Sequence, residues 1–201
     1  MNICVFCAAS DEIDPAHKAT AYTLGAEMGI KGHTLVFGGG AHGLMGEISR
    51  GVADSGGRVV GVIPEQLNLP GVASPLCDEL FVTPDLASRH TMMAELADGF
   101  IALPGGFGTL EELLEMLTLK QLGLHDKPIC VLDNVGYFDP LFMQFASAVL
   151  EGFAPLDDLK LYKVTMSVGE TLRYMEEYTP EERPDRAERL RREMQGGIEE
   201  L

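Results

Sequence analysis

Basic charge is scarce in this chain. Lysine and arginine number 15 against 31 aspartates and glutamates, for a formal net charge of −16. A field of that sign repels nucleic acid and anionic membrane surfaces, which excludes both as expected partners. Long apolar runs are absent too, none approaching the length that spans a bilayer. The start, Met1-Asn2-Ile3-Cys4-Val5-Phe6-Cys7, has no basic segment of the kind that opens a secretory leader. A cytoplasmic location is the expectation. The five histidines form no H-E-x-x-H or similar ligand spacing, so neither a metal nor another cofactor is expected. Cysteine is sparse, with four residues. Cys4 and Cys7 make a C-x-x-C on a strand, where positions three apart face opposite ways. Buried thiols are the expectation there and at Cys130.

What is present suits one domain with a substantial core: 201 residues, 46% of them hydrophobic. Short apolar runs alternate with helical patterns. Strands are expected at 2–6, 34–37, 58–63, 79–83, 99–103, 128–132 and 162–167. Helices are expected from Pro15 to about Lys31, from the 38–46 turn through Ala53, from Asp85 to about Asp98, from near Thr109 onward, over about 137–150 and over 170–178. Asp14-Pro15 reads as an N-cap followed by proline at the first helical position. Gly32 reads as a stop. Such alternation predicts an α/β fold, a Rossmann-like doubly wound parallel sheet of about seven strands with helices on both faces. Residues 1–178 form this single domain. Residues 179–201 form a charged tail of alternating acidic and arginine side chains, read as a solvated end.

Ligands of such sheets bind at the carboxyl ends of the strands. Two glycine turns fall there. Leu103-Pro104-Gly105-Gly106-Phe107-Gly108-Thr109 leads from the fifth strand into a helix, and Gly38-Gly39-Gly40-Ala41-His42-Gly43-Leu44-Met45-Gly46 leads from the second strand into another. A helix N-terminus has free N–H groups and partial positive charge, so a phosphate is the expected guest. A plain tight turn accounts for either loop by itself. Thr109-x-x-Glu112 also fits a capping box, in which Glu112 would be a purely local helix cap.

At about 100° per residue, Leu110, Leu113, Leu114 and Leu117 share one side of the central helix and are expected to face the sheet. Glu112, Met116 and Leu119 lie roughly opposite. A second subunit covering the apolar pair predicts a homodimer with its seam near Met116 and Leu119.

Pro104-Gly105-Gly106-Phe107-Gly108-Thr109-Leu110-Glu111-Glu112 resembles the P-G-G-x-G-T-x-x-E motif of the "Lonely Guy" family, cytokinin riboside 5′-monophosphate phosphoribohydrolases whose bacterial relatives split AMP-like nucleotides. Gly38-Gly39-Gly40 with Gly43-Leu44-Met45-Gly46 matches as well, and the resemblance runs from Asn2 to about Tyr178. It implies a hydrolase that cleaves the N-glycosidic bond of a nucleoside 5′-monophosphate, with Arg89 and Glu112 as the catalytic pair. It implies substrate and phosphate contacts from Ser10, Gly39, Gly40, Gly43, His90, Met93, Gly105, Gly106, Phe107, Gly108 and Thr109. Glu111, Glu115 and Thr118 form a polar stripe that is either a ribose or base contact or a solvated flank.

The family's M-H-x-R-K-x-x-M is Leu86-Ala87-Ser88-Arg89-His90-Thr91-Met92-Met93 here, and its G-S-S is Ala8-Ala9-Ser10. These departures bear on base preference and leave Arg89 and Glu112 in place. The alternative is a non-catalytic nucleotide or cofactor carrier, such as a molybdenum cofactor carrier. The family's older label, lysine decarboxylase, implies a Schiff-base lysine, and neither glycine motif contains one.

Overall fold

The structure is a computed structural model that describes residues 1–180, so most of the charged tail lies outside the described residues. The strands are β1 (Asn2–Phe6), β2 (Thr34–Phe37), β3 (Arg58–Pro64), β4 (Glu79–Thr83), β5 (Gly99–Ala102), β6 (Ile129–Leu132) and β7 (Lys163–Thr165). The α-helices are α1 (Pro15–Ile30), α2 (Gly43–Asp54), α3 (Leu86–Leu96), α4 (Phe107–Gln121), α5 (Asp139–Leu150) and α6 (Val168–Glu177). Single 3₁₀ turns sit at Glu65–Leu67 and Leu156–Lys160. Among the described residues these seven strands all pair in parallel, in the order β4-β3-β2-β1-β5-β6-β7.

The central strands are apolar on both faces because helices cover both. Alternate residues of β1 divide between two cores. Ile3 and Val5 pack with Leu24, Met28, Ile48 and Leu172, on the side of α1, α2 and α6. Cys4 and Phe6 pack with Met93, Leu113, Met116 and Phe138, on the other side. Cys7 joins the first core, so Cys4 and Cys7 do face opposite ways. Burial pushes the thiols of Cys4 and Cys7 well up and that of Cys130 to about 11, which leaves them as unreactive packing groups.

The strand order reverses at β1, which pairs β2 on one side and β5 on the other. The chain leaves β1 and β5 in opposite senses, and the crevice between their carboxyl ends is the topological switch point where ligands of such sheets sit. The element boundaries follow from local chemistry. Asp14 caps α1 by accepting from Ala16 N–H at 2.8 Å, and Asp85 caps α3 by accepting from Ser88 N–H at 2.7 Å. Gly32 stands at φ +74°, the left-handed residue that ends α1.

Of the four leucines of α4 expected to face the sheet, Leu113 and Leu117 are buried and Leu110 packs against the second core, but Leu114 is turned out and the buried stripe is rotated toward Glu112 and Met116. Thr109, Glu112, Leu113, Met116, Leu117 and Lys120 are its buried residues, while Leu114 is exposed. Met116 is 2% exposed within the second core and Leu119 packs against that core, so neither awaits a second subunit. The reading followed the leucines. The buried stripe runs from Glu112 through Met116, Thr109, Lys120 and Leu113 to Leu117, so an ion-paired glutamate, rather than a leucine, forms one edge of it.

Candidate active site

A cavity of about 360 Å³ opens at the switch point. Val5, Cys7, Ala8, Ala9 and Ser10 line it from the end of β1, Gly38 from β2 and Met45 from α2. Leu67 comes from the 3₁₀ turn, Arg89 from α3, and Gly106, Gly108, Thr109 and Glu112 from α4. α3 therefore delivers the arginine, and α4 delivers both its bare first turn and the glutamate one turn deeper.

Arg89 Nη2 donates to Glu112 Oε1, joining two helices across the crevice. Both side chains are largely buried. Burial raises the Glu112 carboxyl above the ordinary glutamate range; the charges of Arg89 and then His90 pull it back. The Arg89 Nε atom is buried and has no partner among the described residues. A buried donor without an acceptor is costly, so this nitrogen is matched to an oxygen that arrives with a ligand. The guanidinium lies against Gly38: a Cβ there would be in van der Waals contact with Arg89 Nη2, at 3.4 Å.

The capping-box expectation fails. Gly106 is the N-cap of α4 and offers no side chain, and Thr109 is the third residue of the helix. Glu112 turns to Arg89 instead of back to the helix start. Leu110 is the first residue of α4 with an amide acceptor inside the helix, Gly106 O at 3.1 Å. The amides of Phe107, Gly108 and Thr109 precede it, at the positive end of the helix dipole. A Cβ built on Gly106 or Gly108 meets nothing within 4 Å among the described residues, and both glycines line the cavity. Gly105 is glycine for another reason: Thr109 Oγ1 would stand 2.1 Å from its Cβ.

In the second glycine turn three amides are engaged within the protein: Gly43 N–H donates to Asp11 Oδ1 at 2.9 Å, and those of Leu44 and Met45 to Ala8 O at 2.9 and 3.3 Å. Gly39 and Gly40 lie beneath the 69–77 loop. Ser74 N–H donates to Gly39 O at 2.8 Å, and Gly40 bridges Ala73. Of this turn, Gly38 and Met45 line the cavity.

Among the other expected site residues, Ser10 lines the cavity, its Oγ accepting from Glu12 N–H at 3.2 Å. His90 is buried behind the pair, its Nδ1 3.0 Å from Glu115 Oε2. Met93 is a core residue closed to ligand. Phe107 projects into solvent, 92% exposed. Glu111 and Thr118 are exposed on α4. Thr118 hydrogen-bonds Leu114 O at 2.7 Å and lines a separate apolar groove with Leu114, Phe145 and Tyr162. The sequence reading missed Asp11, Met45, Leu67 and Tyr137. Tyr137 follows β6 on the same carboxyl edge, and that position was the available signal.

A parallel sheet with its crevice at the switch point, a bare helix N-terminus and a buried acid–base pair define a Rossmann-like α/β protein with a small-molecule site. The "Possible lysine decarboxylase" family model matches residues 45–175. The chain is 43% identical over 178 residues to the probable cytokinin riboside 5′-monophosphate phosphoribohydrolase LOGL1 of Oryza sativa subsp. japonica, covering 89% of this chain and 80% of the relative. It is 40% identical over 179 residues to the cytokinin riboside 5′-monophosphate phosphoribohydrolase LOG4 of Arabidopsis thaliana, covering 89% and 83%. The chain belongs to this LOG family. The molybdenum cofactor binding protein of Rippkaea orientalis shares the fold, with a TM-score of 0.67 at 23% identity over 87% of this chain and 94% of that one. The molybdenum cofactor carrier protein of Chlamydomonas reinhardtii does likewise, at 0.66 and 22% over 87% and 95%.

Proposed function

We propose that this protein is a nucleoside 5′-monophosphate phosphoribohydrolase, cleaving AMP or a cytokinin riboside 5′-monophosphate with water to free base and ribose 5-phosphate. The observation that carries the reading is the buried Arg89–Glu112 pair beside the open first turn of α4. The 5′-phosphate lies on the amides of that turn, held by hydrogen bonds and the helix dipole. One turn along the helix, Glu112 faces the anomeric carbon of the ribose.

Breaking the C1′–N bond passes through an oxocarbenium-like sugar, and a carboxylate beside it stabilises the developing positive charge. Glu112 also orients the water whose oxygen forms the new bond to C1′, while the departing base takes up a proton. Arg89 favours the ionised form of Glu112 against the opposing pull of burial. Its unpartnered Nε donates to a ribose oxygen and fixes the sugar's pose. In the same reading the protein works as a homodimer in the cytoplasm.

The test is Glu112→Gln, which keeps the shape and removes the charge. Base release should fall roughly a hundredfold to a thousandfold, while AMP affinity, which rests on backbone donors, stays within about threefold. Adenine release at the parent rate would contradict the mechanism. The carrier alternative, raised by the solved structures of like fold, predicts instead that the parent protein binds nucleotide without releasing base.

A further inference from the structure

The turn between β5 and α4 is tethered at two successive carbonyls ahead of the N-cap Gly106. Ala8 N–H donates to Pro104 O at 3.2 Å, and the Tyr137 hydroxyl donates to Gly105 O at 2.6 Å. Tyr137 is itself held firmly. The buried carboxylate of Asp133, just past β6, accepts from the amides of Tyr137 and Phe138 at 2.8 and 2.7 Å. The buried Phe138 ring packs edge-on against the tyrosine, 5.1 Å between centroids at 88°. The phenol thus reaches Gly105 from an anchored loop.

A trans peptide points its carbonyl and its N–H in opposite directions. Fixing Gly105 O on Tyr137 therefore turns the Gly106 amide to the far side of the turn. Gly106 lies between two hollows. One is the Arg89–Glu112 cavity, and the other, of about 300 Å³, contains Tyr137 with Ile13, His17 and Leu44. The tyrosine stands in the second, so the amide opposite it is free to serve the first.

We propose that Tyr137 is a positioning residue for the phosphate. Its hydroxyl sets the Gly105–Gly106 peptide so that the Gly106 amide joins those of the first turn of α4 around the phosphate, and Asp133 sets the tyrosine. The inference rests on the phosphate placement proposed above. It explains why a half-exposed phenol is tied to a turn carbonyl when water could satisfy both groups. The tie removes a rotation that phosphate binding would otherwise have to freeze.

Tyr137→Phe deletes the hydroxyl and keeps the ring. KM for AMP should rise roughly tenfold, the scale of one preorganised hydrogen bond, with kcat within about twofold. Affinity for ribose 5-phosphate and for inorganic phosphate, read by calorimetry, should fall by the same factor, while adenosine affinity and the thermal midpoint stay put. Unchanged phosphate affinity would overturn the proposal. So would an equal loss for adenosine and phosphate with a lower midpoint, which marks a tyrosine that only supports the fold. Calorimetry needs no turnover. A parent protein that binds phosphate but releases no base would refute the hydrolase reading and leave this one standing, and a parent that binds no phosphate would refute the positioning role as well.

Discussion

An alanine at position 43 meets two obstacles. Gly43 stands at φ +59°, where an L side chain is strained, and a Cβ there would lie 2.5 Å from Ser10 O and 2.7 Å from Ala8 O. The contacts are backbone and cannot swing aside. Strain and overpacking of this kind cost about 2–5 kcal/mol together, so Gly43→Ala should lower the thermal midpoint strongly. Gly108→Ala is the counterpart. Its Cβ enters open space, so the midpoint should hold while phosphate affinity falls, because the added methyl sits where the ligand approaches. Calorimetric melting and phosphate titration of both variants check this, and a Gly108→Ala protein with parent affinity would count against the cradle. In the sequence the two glycines look alike. Their difference lies in what other segments bring to them, Asp11 and Ala8 to the one and nothing to the other. The same holds for Glu112, whose spacing from Thr109 fits a cap until Arg89 arrives from another helix.

Elements were the most legible level. The inner strands are continuous apolar runs because both sheet faces are covered, and the helix starts carry Asp14 and Asp85 as side-chain caps. The orientation of α4 was legible only in part: Leu113 and Leu117 face the core, but the buried stripe extends to an ion-paired glutamate, which apolar periodicity does not count. α5 presents the opposite case: it is rich in apolar residues, yet none of them is buried. Met143 and Leu150 project from it, with Phe153 just beyond at 81% exposed. Beside it runs the groove lined by Leu114, Phe145 and Tyr162. An apolar face this continuous calls for a cover, and a homodimer, if it forms, is expected to have its seam here and not near Met116 and Leu119. Sedimentation should give twice the 21.8 kDa chain mass, and Leu150→Asp with Phe153→Asp should give single chains. A parent that sediments as a monomer would contradict the proposal.

At the scale of the molecule, the strand order places the carboxyl ends of β1 and β5 on either side of one crevice. Alternating strands and helices predict a parallel sheet but not its order, which depends on which strands pair across long separations. The order decides that Ser10, Arg89 and the first turn of α4 meet. Charge acts at this scale too. A chain of −16 repels an anionic nucleotide, so the nucleotide must find its attraction locally, the phosphate in the α4 amides and the ribose in Arg89. Those contacts should supply much of the energy that poises the glycosidic bond. The most direct test is to give the purified protein AMP and adenosine in parallel and to measure adenine released. The account predicts adenine and ribose 5-phosphate from AMP, with kcat/KM roughly a thousandfold above that for adenosine. Comparable release from the two, or none from AMP, would contradict it.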